Sequence, residues 1–358
     1  MDAQKLPARP RPERYRKLAK DLLAARRSED PSARFTLSDA RLQIARSYGF
    51  ESWAKFQKHV EAAASKSSAV SQFESAAGAI VSGDLAALAR LLRRNPELVR
   101  ARSTRVHRAT LLHYVAANGV EDYRQKTPPN AVAVARLLLE AGAEVDAENY
   151  CYRGGSTALC LVATSVHPER AGVQIALMET LLGAGAAIDG LPGGSHPLNA
   201  ALGNGRGEAA EFLANRGARL DAEGAAGVGC VDVLRSLIDG ATAAQMTAGF
   251  LWACEYGRIG AVEFLLERGL DVATAGPPHG QTGLHWAAHG GHVDTVKLLL
   301  DRHAPVGVKD ASFAGTPMDW ALHGRDEAPA DRRDRYRELV ELLVAAGAAP
   351  AKLQTAQT

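Results

Sequence analysis

The chain has 358 residues, with 42 Lys and Arg against 40 Asp and Glu, so its formal net charge is +2. So small a charge provides no overall field that would attract nucleic acid. No apolar run approaches the length of a membrane span, and the polar residues 1–12 lack the apolar segment of a secretory signal. The four cysteines show no C-x-x-C spacing, which favours reduced thiols in a cytosolic protein.

The charge is distributed unevenly along the chain. Residues 1–72 hold 15 Lys and Arg against 8 Asp and Glu, whereas the remaining residues hold 27 against 32. The basic N-terminal part is one candidate contact for nucleic acid, but charge runs of this kind are usually solvated faces. We therefore expect no nucleic-acid partner, and binding that is insensitive to salt would remove this interpretation altogether.

The N-terminal part of the sequence predicts a small helical module. Residues 1–11 are expected to be disordered. Apolar residues then recur with helical period, residues 36–39 offer several N-cap choices for a second helix, and Trp53 lies on the apolar face of a third. These helices define a module over residues 12–64, and the small polar residues after it predict a linker over 65–72.

The rest of the chain is built from a repeated pattern, clearest at residues 282–291, TGLHWAAHGG. The pattern predicts a short inner helix, a reversal at Gly291 and a longer, leucine-rich outer helix. Neither helix can bury its apolar side alone, so such units stack on copies of themselves. We find eight copies, each with paired small residues, a turn glycine and an apolar pair in the outer helix. Their inner segments begin near Ala79, Thr110, Thr157, Pro197, Ala225, Phe250, Thr282 and Thr316.

The helix openings at Thr282 and Thr316, together with endings such as LLEAGA at 138–143, resemble the ankyrin family over roughly residues 73–350. The resemblance implies an all-α fold, an ankyrin-repeat solenoid of about eight helix pairs behind the helical module. Residues 40–53 resemble a helical segment often placed ahead of bacterial ankyrin arrays. A disordered tail is expected at 351–358.

Three copies are longer than the ankyrin period of about 33 residues. The additional residues, at 121–130, 166–173 and 325–333, are polar and contain proline. They fall between the inner and the outer helix, so they should extend these loops or add short helical turns. Tolerated surface drift explains such insertions more often than a binding role does.

The resemblance also implies that the two residues after the paired small residues face a concave groove and usually contact the partner. These residues are small in the first five copies, but in the last three they include Glu255, Tyr256, His289 and His323. Because successive helix pairs pack about 10 Å apart, we expect neighbours in this column to meet. They would contact a partner or ligand, with a histidine charge adjustable near neutral pH, although an ordinary solvated groove explains them equally well.

Tryptophan occupies the same position in three consecutive copies, as Trp252, Trp286 and Trp320. Their spacing should stack them along the array, which makes them candidates for an aromatic platform. Aromatic residues at repeat spacing more often bury area against neighbouring helices, so packing is the preferred interpretation.

His285, His289 and His292 have the spacing H-x3-H-x2-H, and the first two share a helix face as zinc-binding pairs do. The resemblance, however, gives His285 and its counterpart His113 a structural role in hydrogen bonding to the backbone. We therefore expect no metal site, and no cofactor is predicted.

The loops between copies form a second candidate surface. Tyr150, Tyr152 and Arg153 are residue types that are frequent in contacts, and we expect them to bind a partner. The preceding loop, residues 100–108, is basic and would suit an acidic peptide. We interpret it as an exposed, solvated loop.

These observations favour a non-catalytic protein-interaction module in a bacterial-type cytoplasm, with an unidentified protein partner along the groove and the loop tips. No nucleophile elbow, phosphate loop or dinucleotide fingerprint marks an enzyme. The alternative is small-molecule binding or enzymatic activity in the C-terminal half of the groove, with Glu255 and either His289 or His323 as acid and base. A deep pocket walled by tryptophans would favour the alternative, and a shallow groove with buried tryptophans would favour the interaction module.

Overall fold

The computed structural model describes residues 3–7, 10–30, 34–152 and 154–349. The chain divides into two compact units, residues 1–209 and residues 210–358. Helices make up nearly all of the regular structure, and the strands in the described residues are the two-residue β1 (Ala275–Gly276) and β2 (Gln281–Thr282). The predicted all-α fold is thereby confirmed.

The first unit begins with three helices around an aromatic core. They are α1 (Pro12–Glu29), α2 (Leu37–Ser47) and α3 (Trp53–Ala63). The rings of Tyr15 and Phe56 lie edge to face with centroids 5.1 Å apart, and Tyr48 stacks on Phe56 at 5.2 Å. Among the N-cap choices in residues 36–39, Thr36 caps α2, because its hydroxyl accepts a hydrogen bond from the amide of Asp39.

Residues 3–7 contact this module, although we expected a disordered segment over 1–11. The amide of Gln4 donates to the carbonyl of Ser47 at 2.7 Å, and Leu6 packs on the aromatic core. The polar composition of this segment suggested disorder, but its apolar residue Leu6 packs against the helical module.

Three helix pairs and the inner helix of a fourth follow the module, and the outer helix of the fourth crosses the boundary after residue 209. The first starts inside the linker expected at 65–72, because the Ser68 hydroxyl accepts from the Ser71 amide and caps a helix there. In chain order the elements are α4 (Ala69–Ser82) and α5 (Leu85–Arg94), a 3₁₀ segment (Leu111–Ala116) and α6 (Ala131–Glu140), α7 (Ala158–Thr164), the short α8 (Val166–Arg170) and α9 (Gln174–Gly183), then α10 (Pro197–Leu202) and α11 (Gly207–Asn215). Within the first unit the inner segments pack on one another, and so do α6 and α9.

Each of the three insertions carries a short helical turn, as expected. The turns are the 3₁₀ segment Asp122–Arg124, helix α8 and the 3₁₀ segment Ala330–Arg332. The inner segment of the second pair differs from its neighbours, since it is a 3₁₀ helix that ends at Ala117 with φ of 49°. The left-handed backbone of this alanine ends the inner segment early, and the chain then continues into the first insertion.

The second unit holds four further pairs in its described residues. They are α12 (Ala222–Val228) and α13 (Val231–Leu237), α14 (Ala243–Glu255) and α15 (Ile259–Glu267), α16 (Gly283–His289) and α17 (Val293–Asp301), then α18 (Pro317–Glu327) and α19 (Arg333–Ala345). Inner helices stack on inner helices and outer helices on outer helices. Phe250, Leu284, Leu299 and Met318 lie in the core between them.

Threonine caps mark where three of the four inner helices of this unit begin, and Asp221 caps α12. Thr282 and Thr316 each form a capping box with the residue three positions later. Thr242 forms the same box with Gln245, so α14 begins at Ala243, well ahead of the start near Phe250 that we expected. The Thr-x-x-Gln pattern is a sequence signal for this helix start. Gly291, with φ of 70°, makes the predicted reversal after α16.

Candidate functional site

The four predicted groove residues lie at or near the C-terminal ends of inner helices. Glu255 ends α14 and Tyr256 follows it, His289 ends α16, and His323 lies in the second half of α18. The structure brings His289 and His323 together, with ring centroids 5.7 Å apart. Glu255 and Tyr256 are half-buried, and the main-chain carbonyl of Glu255 bonds to the ring of His292 at 2.8 Å.

A carboxylate that we did not predict joins the two histidines. The side chain of Glu327 lies 3.5 Å from Nε2 of His289 and 3.5 Å from Nε2 of His323. Glu327 follows His323 by four residues, so the helix places both on one face. His289 is 31% exposed, whereas His323 and Glu327 are 65% and 61% exposed. The sequence signal would have been the H-x3-E spacing in a helix that runs on into the third insertion.

His289 has the most restricted surroundings of the three. Burial lowers its pKa below the ordinary histidine value, the carboxylate of Glu327 partly offsets this, and the nearby His323 lowers it further. The ring packs edge to face on Trp320 with centroids 5.6 Å apart, and the main-chain carbonyl accepts a hydrogen bond from the Tyr336 hydroxyl at 2.6 Å. A neutral imidazole held in this way can accept a hydrogen bond or bind a metal ion.

Gly324 sets the distance between the two inner helices at this point. A Cβ atom on Gly324 would overlap the carbonyl oxygen of His289. Any other residue would therefore push α18 away from α16. The glycine thus keeps the neighbouring His323 beside His289.

The three tryptophans are half-buried, and their rings form one contact. Trp286 and Trp320 lie edge to face with centroids 5.1 Å apart, whereas Trp252 joins no ring pair in the part of the chain that the structure describes. Rings on helices about 10 Å apart meet only when both side chains lean toward each other. The tryptophans expected to stack along the array therefore meet between the seventh and eighth copies, where Trp286 and Trp320 make an edge-to-face contact.

Asp310 organises the loop between α17 and α18. Its carboxylate accepts hydrogen bonds of 2.8–3.0 Å from the amides of Ser312, Phe313 and Gly315 and from the indole of Trp320. Burial raises the pKa of Asp310, but these hydrogen bonds outweigh it and bring the pKa to about 2. The turn presents Phe313 to solvent at the loop tip, where its side chain is 78% exposed.

The helix pairs of the second unit correspond to a known repeat family. Residues 222–310 and 250–354 match the family model for ankyrin repeats, in three copies. The C-terminal half of the chain carries ankyrin repeats. Ankyrin repeats are generally protein–protein interaction modules. A comparison with curated proteins gives no match, and every helix in the described residues is too short or too polar to cross a membrane.

The motif histidines His113 and His285 have the structural role that we predicted. In His113 and His285 alike, Nδ1 accepts from the amide of the threonine three residues earlier at 3.1 Å. The opposite nitrogen reaches a main-chain carbonyl, that of Ala147 at 2.8 Å and that of Gly315 at 3.2 Å. Burial lowers the pKa of His113 to about 4 and also lowers that of His285. With both ring nitrogens engaged, His285 cannot serve as the metal ligand suggested by its spacing.

The predicted loop tip in the first unit lies between α6 and α7. Tyr150 and Tyr152 are 56% and 65% exposed. The guanidinium of Arg108 lies 6.0 Å from the ring centroid of Tyr150, and the hydroxyl of Tyr152 donates to the side chain of Asn118 at 2.7 Å. Arg153, the third residue of this predicted set, lies outside the described residues. The two tyrosines are held by these contacts and still present most of their rings to solvent.

A cavity of about 470 Å³ lies beside Tyr152 in the first unit. Groove positions that we considered small and bland line it, among them Asn118 and Thr164, together with Arg206. Arg206 forms an ion pair with Glu169 of the second insertion. Polar side chains that converge on a cavity are typical of sites that orient small ligands.

The basic loop at 100–108 is not the solvated finger that we expected, because Arg105 and His107 are fully buried. Nη1 of Arg105 lies 2.5 Å from the carboxylate of Glu74 and 2.9 Å from that of Glu121. The interpretation of an exposed charged loop is therefore wrong for these two residues. Carboxylates remote in sequence supply the partners that make burial of the guanidinium tolerable.

Arg124, in the first insertion, completes this arrangement. Its guanidinium lies 2.8 Å from Glu74 and 3.2 Å from Glu121. Burial raises the pKa of Glu121, but the ring of His107, whose Nε2 lies 3.7 Å from the carboxylate, and the charges of Arg105 and Arg124 outweigh it and hold the pKa below the ordinary value. The set Glu74, Arg105, Glu121 and Arg124, which we term the buried charge cluster, balances two positive against two negative charges.

Proposed function

We propose that the chain is a non-catalytic protein-interaction module that binds a protein partner along the concave groove and loop tips of an ankyrin array. The observation that carries this proposal is the exposure of Tyr150, Tyr152 and Phe313 at loop tips, each unit presenting its own. Aromatic residues are enriched in protein interfaces. Full burial of one phenylalanine side chain is worth about 1.5–3 kcal/mol, so a partner that covers these rings would gain affinity.

The groove residues extend the proposed surface in the second unit. His289 and His323 lie partly or largely exposed beside Trp320, and Glu255 and Tyr256 belong to the same column of the repeat. The tryptophans support an interaction groove rather than an enclosed pocket, because the indole N–H of Trp320 is engaged by Asp310 in the protein's own loop.

The proposal includes an array that runs over residues 73–350 behind a module at 12–64. It is supported by the alternation of inner and outer helices in both units and by the same threonine–histidine hydrogen bonds at His113 and His285. The tail expected at 351–358 lies outside the described residues. We further propose a bacterial-type cytoplasmic location, which the four free thiols support.

Affinity capture from the native cytosol tests the interaction surface. Phe313→Ser should lower recovery of the partner at least about tenfold, since one buried aromatic ring is worth more than 1.4 kcal/mol. Val344→Ser, at an exposed apolar residue of the outer helix α19, is the matched control and should capture normally. In the first unit, Tyr150→Ser with Tyr152→Ser is compared with Leu18→Ser. Full recovery with both tip variants would refute the proposed loop-tip contact.

Small-molecule binding is a second candidate, and the cavity beside Tyr152 is the observation that favours it. The ligand would then bind in the first unit, whereas the sequence suggested the groove around Glu255, His289 and His323. A thermal-shift screen of metabolites tests this function. Hits should lose affinity in Arg206→Met, and hits that bind this variant unchanged would show that the cavity is not their site.

A further inference from the structure

We propose that His289, His323 and Glu327 form a binding site for a divalent transition metal ion of the zinc type. Each residue offers one ligand atom, and the three atoms all lie within 4.8 Å of one another. The carboxylate lies 3.5 Å from each of the two imidazole nitrogens. Tetrahedral zinc, with bonds of about 2.0–2.1 Å, holds its ligand atoms about 3.3–3.4 Å apart. Both carboxylate approaches are close to this separation, and they involve different oxygens, Oε2 toward His289 and Oε1 toward His323.

The donor atoms select the class of metal. Imidazole nitrogen suits zinc, copper, iron and nickel, whereas calcium and magnesium prefer shells made of oxygen. Two imidazoles and one carboxylate are also the protein ligands of one group of zinc sites that leave a fourth position for water or another ligand. Since His323 and Glu327 are largely exposed, an ion can enter from the groove.

The backbone brings the three ligands together before any ion binds. Gly324 allows α18 to touch α16 at the carbonyl of His289, and Tyr336 holds that carbonyl from the other side. The ring of His289 is further restrained by Trp320. Binding therefore requires only side-chain rotation of the two exposed ligands, with no movement of either helix.

The third ligand depends on the third insertion. Helix α16 ends at His289, whereas α18 continues for one more turn past its groove residue His323 and ends at Glu327. An inner helix of the length of α16 would end before the carboxylate. The additional residues of the third insertion thus place the Glu327 carboxylate beside the two histidines, whereas we had interpreted the insertion as tolerated surface drift.

Isothermal titration of the full chain with Zn²⁺, without partner and without a histidine tag, tests this site separately from the proposed interaction function. A Cys230→Ser background removes the half-buried thiol, whereas the other three cysteines are buried. We expect one saturable site whose affinity falls at least about tenfold in His323→Gln and in Glu327→Gln, because each loses one of three ligands. His279→Gln removes an exposed histidine of the same unit outside the cluster and should leave the affinity unchanged.

Substitution with Co²⁺ provides a second readout, because visible ligand-field bands would report four-coordinate ligation by nitrogen and oxygen in the tetrahedral geometry that zinc adopts. A urea midpoint equal to that of wild type shows that each variant folds. If one of the two variants fails to fold, the Zn²⁺ affinity of the other tests the proposal. The absence of saturable Zn²⁺ binding would overturn the proposal. A Zn²⁺ affinity that is unchanged in both variants would also overturn it, because the three side chains would then form only ordinary histidine–carboxylate ion pairs.

Discussion

Replacement of Glu121 by alanine should destabilise the first unit far more than a surface substitution does. The Glu121 side chain is fully buried. Its Oε1 lies 2.9 Å from Nη1 of Arg105 and 3.2 Å from Nη1 of Arg124, and it accepts a longer bond from the Tyr114 hydroxyl. Without it, two guanidinium groups share the single carboxylate of Glu74, so one positive charge is buried without a counter-charge.

The magnitude follows from the contacts that Glu121 loses. A hydrogen bond to a charged group contributes about 1.5–3 kcal/mol, and Glu121 accepts one such bond from Arg124 and forms a 2.9 Å ion pair with Arg105. Removal of one partner from a buried ion pair costs about 3–5 kcal/mol. We expect a loss within this range. For a urea dependence of about 1–3 kcal/mol per molar, the midpoint should fall by more than about 1 M.

Hydrogen exchange of peptides covering residues 105–124, measured across a urea series on the full chain, isolates the response of the first unit. Separate unfolding of the two units would otherwise blur a single probe. Glu140→Ala, at an exposed glutamate that ends α6, should stay within about 0.5 kcal/mol of wild type. Equal midpoints for Glu121→Ala and Glu140→Ala would refute the reasoning. Glu121→Leu combined with Arg105→Met should recover part of the loss, because fewer unbalanced charges remain buried.

Acid should destabilise the first unit, because the pKa of His113 is about 4 in the fold and about 6.5 when unfolded. The neutral ring contributes on the order of 3 kcal/mol to the stability of the first unit, and this contribution is complete above pH 6.5 and is lost as the pH falls toward 4. His113→Gln should therefore make the urea midpoint depend less on pH. An unchanged dependence would contradict this prediction. Asp310→Ala should lower the stability of the second unit by at least about 2 kcal/mol, because four donors lose their acceptor, and shift tryptophan emission to longer wavelength; an unaltered melting curve would count against it. Cys230 should react first with a thiol reagent, since burial raises the pKa of Cys151 to about 12 and of Cys160 to about 11; equal rates for all thiols in the native protein would exclude this.

The features that the sequence predicted well are those fixed by neighbours along the chain. Thr36 and Thr282 cap helices through residues three positions away, and Gly291 adopts the left-handed backbone that the reversal needs. The meeting of His289 and His323 also follows from repeat spacing, because equivalent positions in stacked units are neighbours. Local chemistry and periodicity were sufficient for each of these predictions.

The buried charge cluster was missed because its members lie far apart in sequence. Arg105 looks like any arginine of a polar loop, and its burial is decided by Glu74 and Glu121. A solvated side chain is the correct default for a charge whose partners are unknown. Only the tertiary arrangement shows that two arginines and two glutamates neutralise one another in the interior.

The insertions have functions that their polar composition concealed. The first brings Glu121 and Arg124 into the buried charge cluster. The second supplies Glu169, which pairs with Arg206 at the cavity in the first unit. The third lengthens α18 so that Glu327 meets two histidines of neighbouring repeats. In each case the helices of neighbouring pairs still stack on one another, and the residues added between an inner and an outer helix place a carboxylate beside a charged or titratable side chain. We therefore expect deletion of 328–332, which follows Glu327, to preserve Zn²⁺ binding, whereas a deletion that includes Glu327 should abolish it.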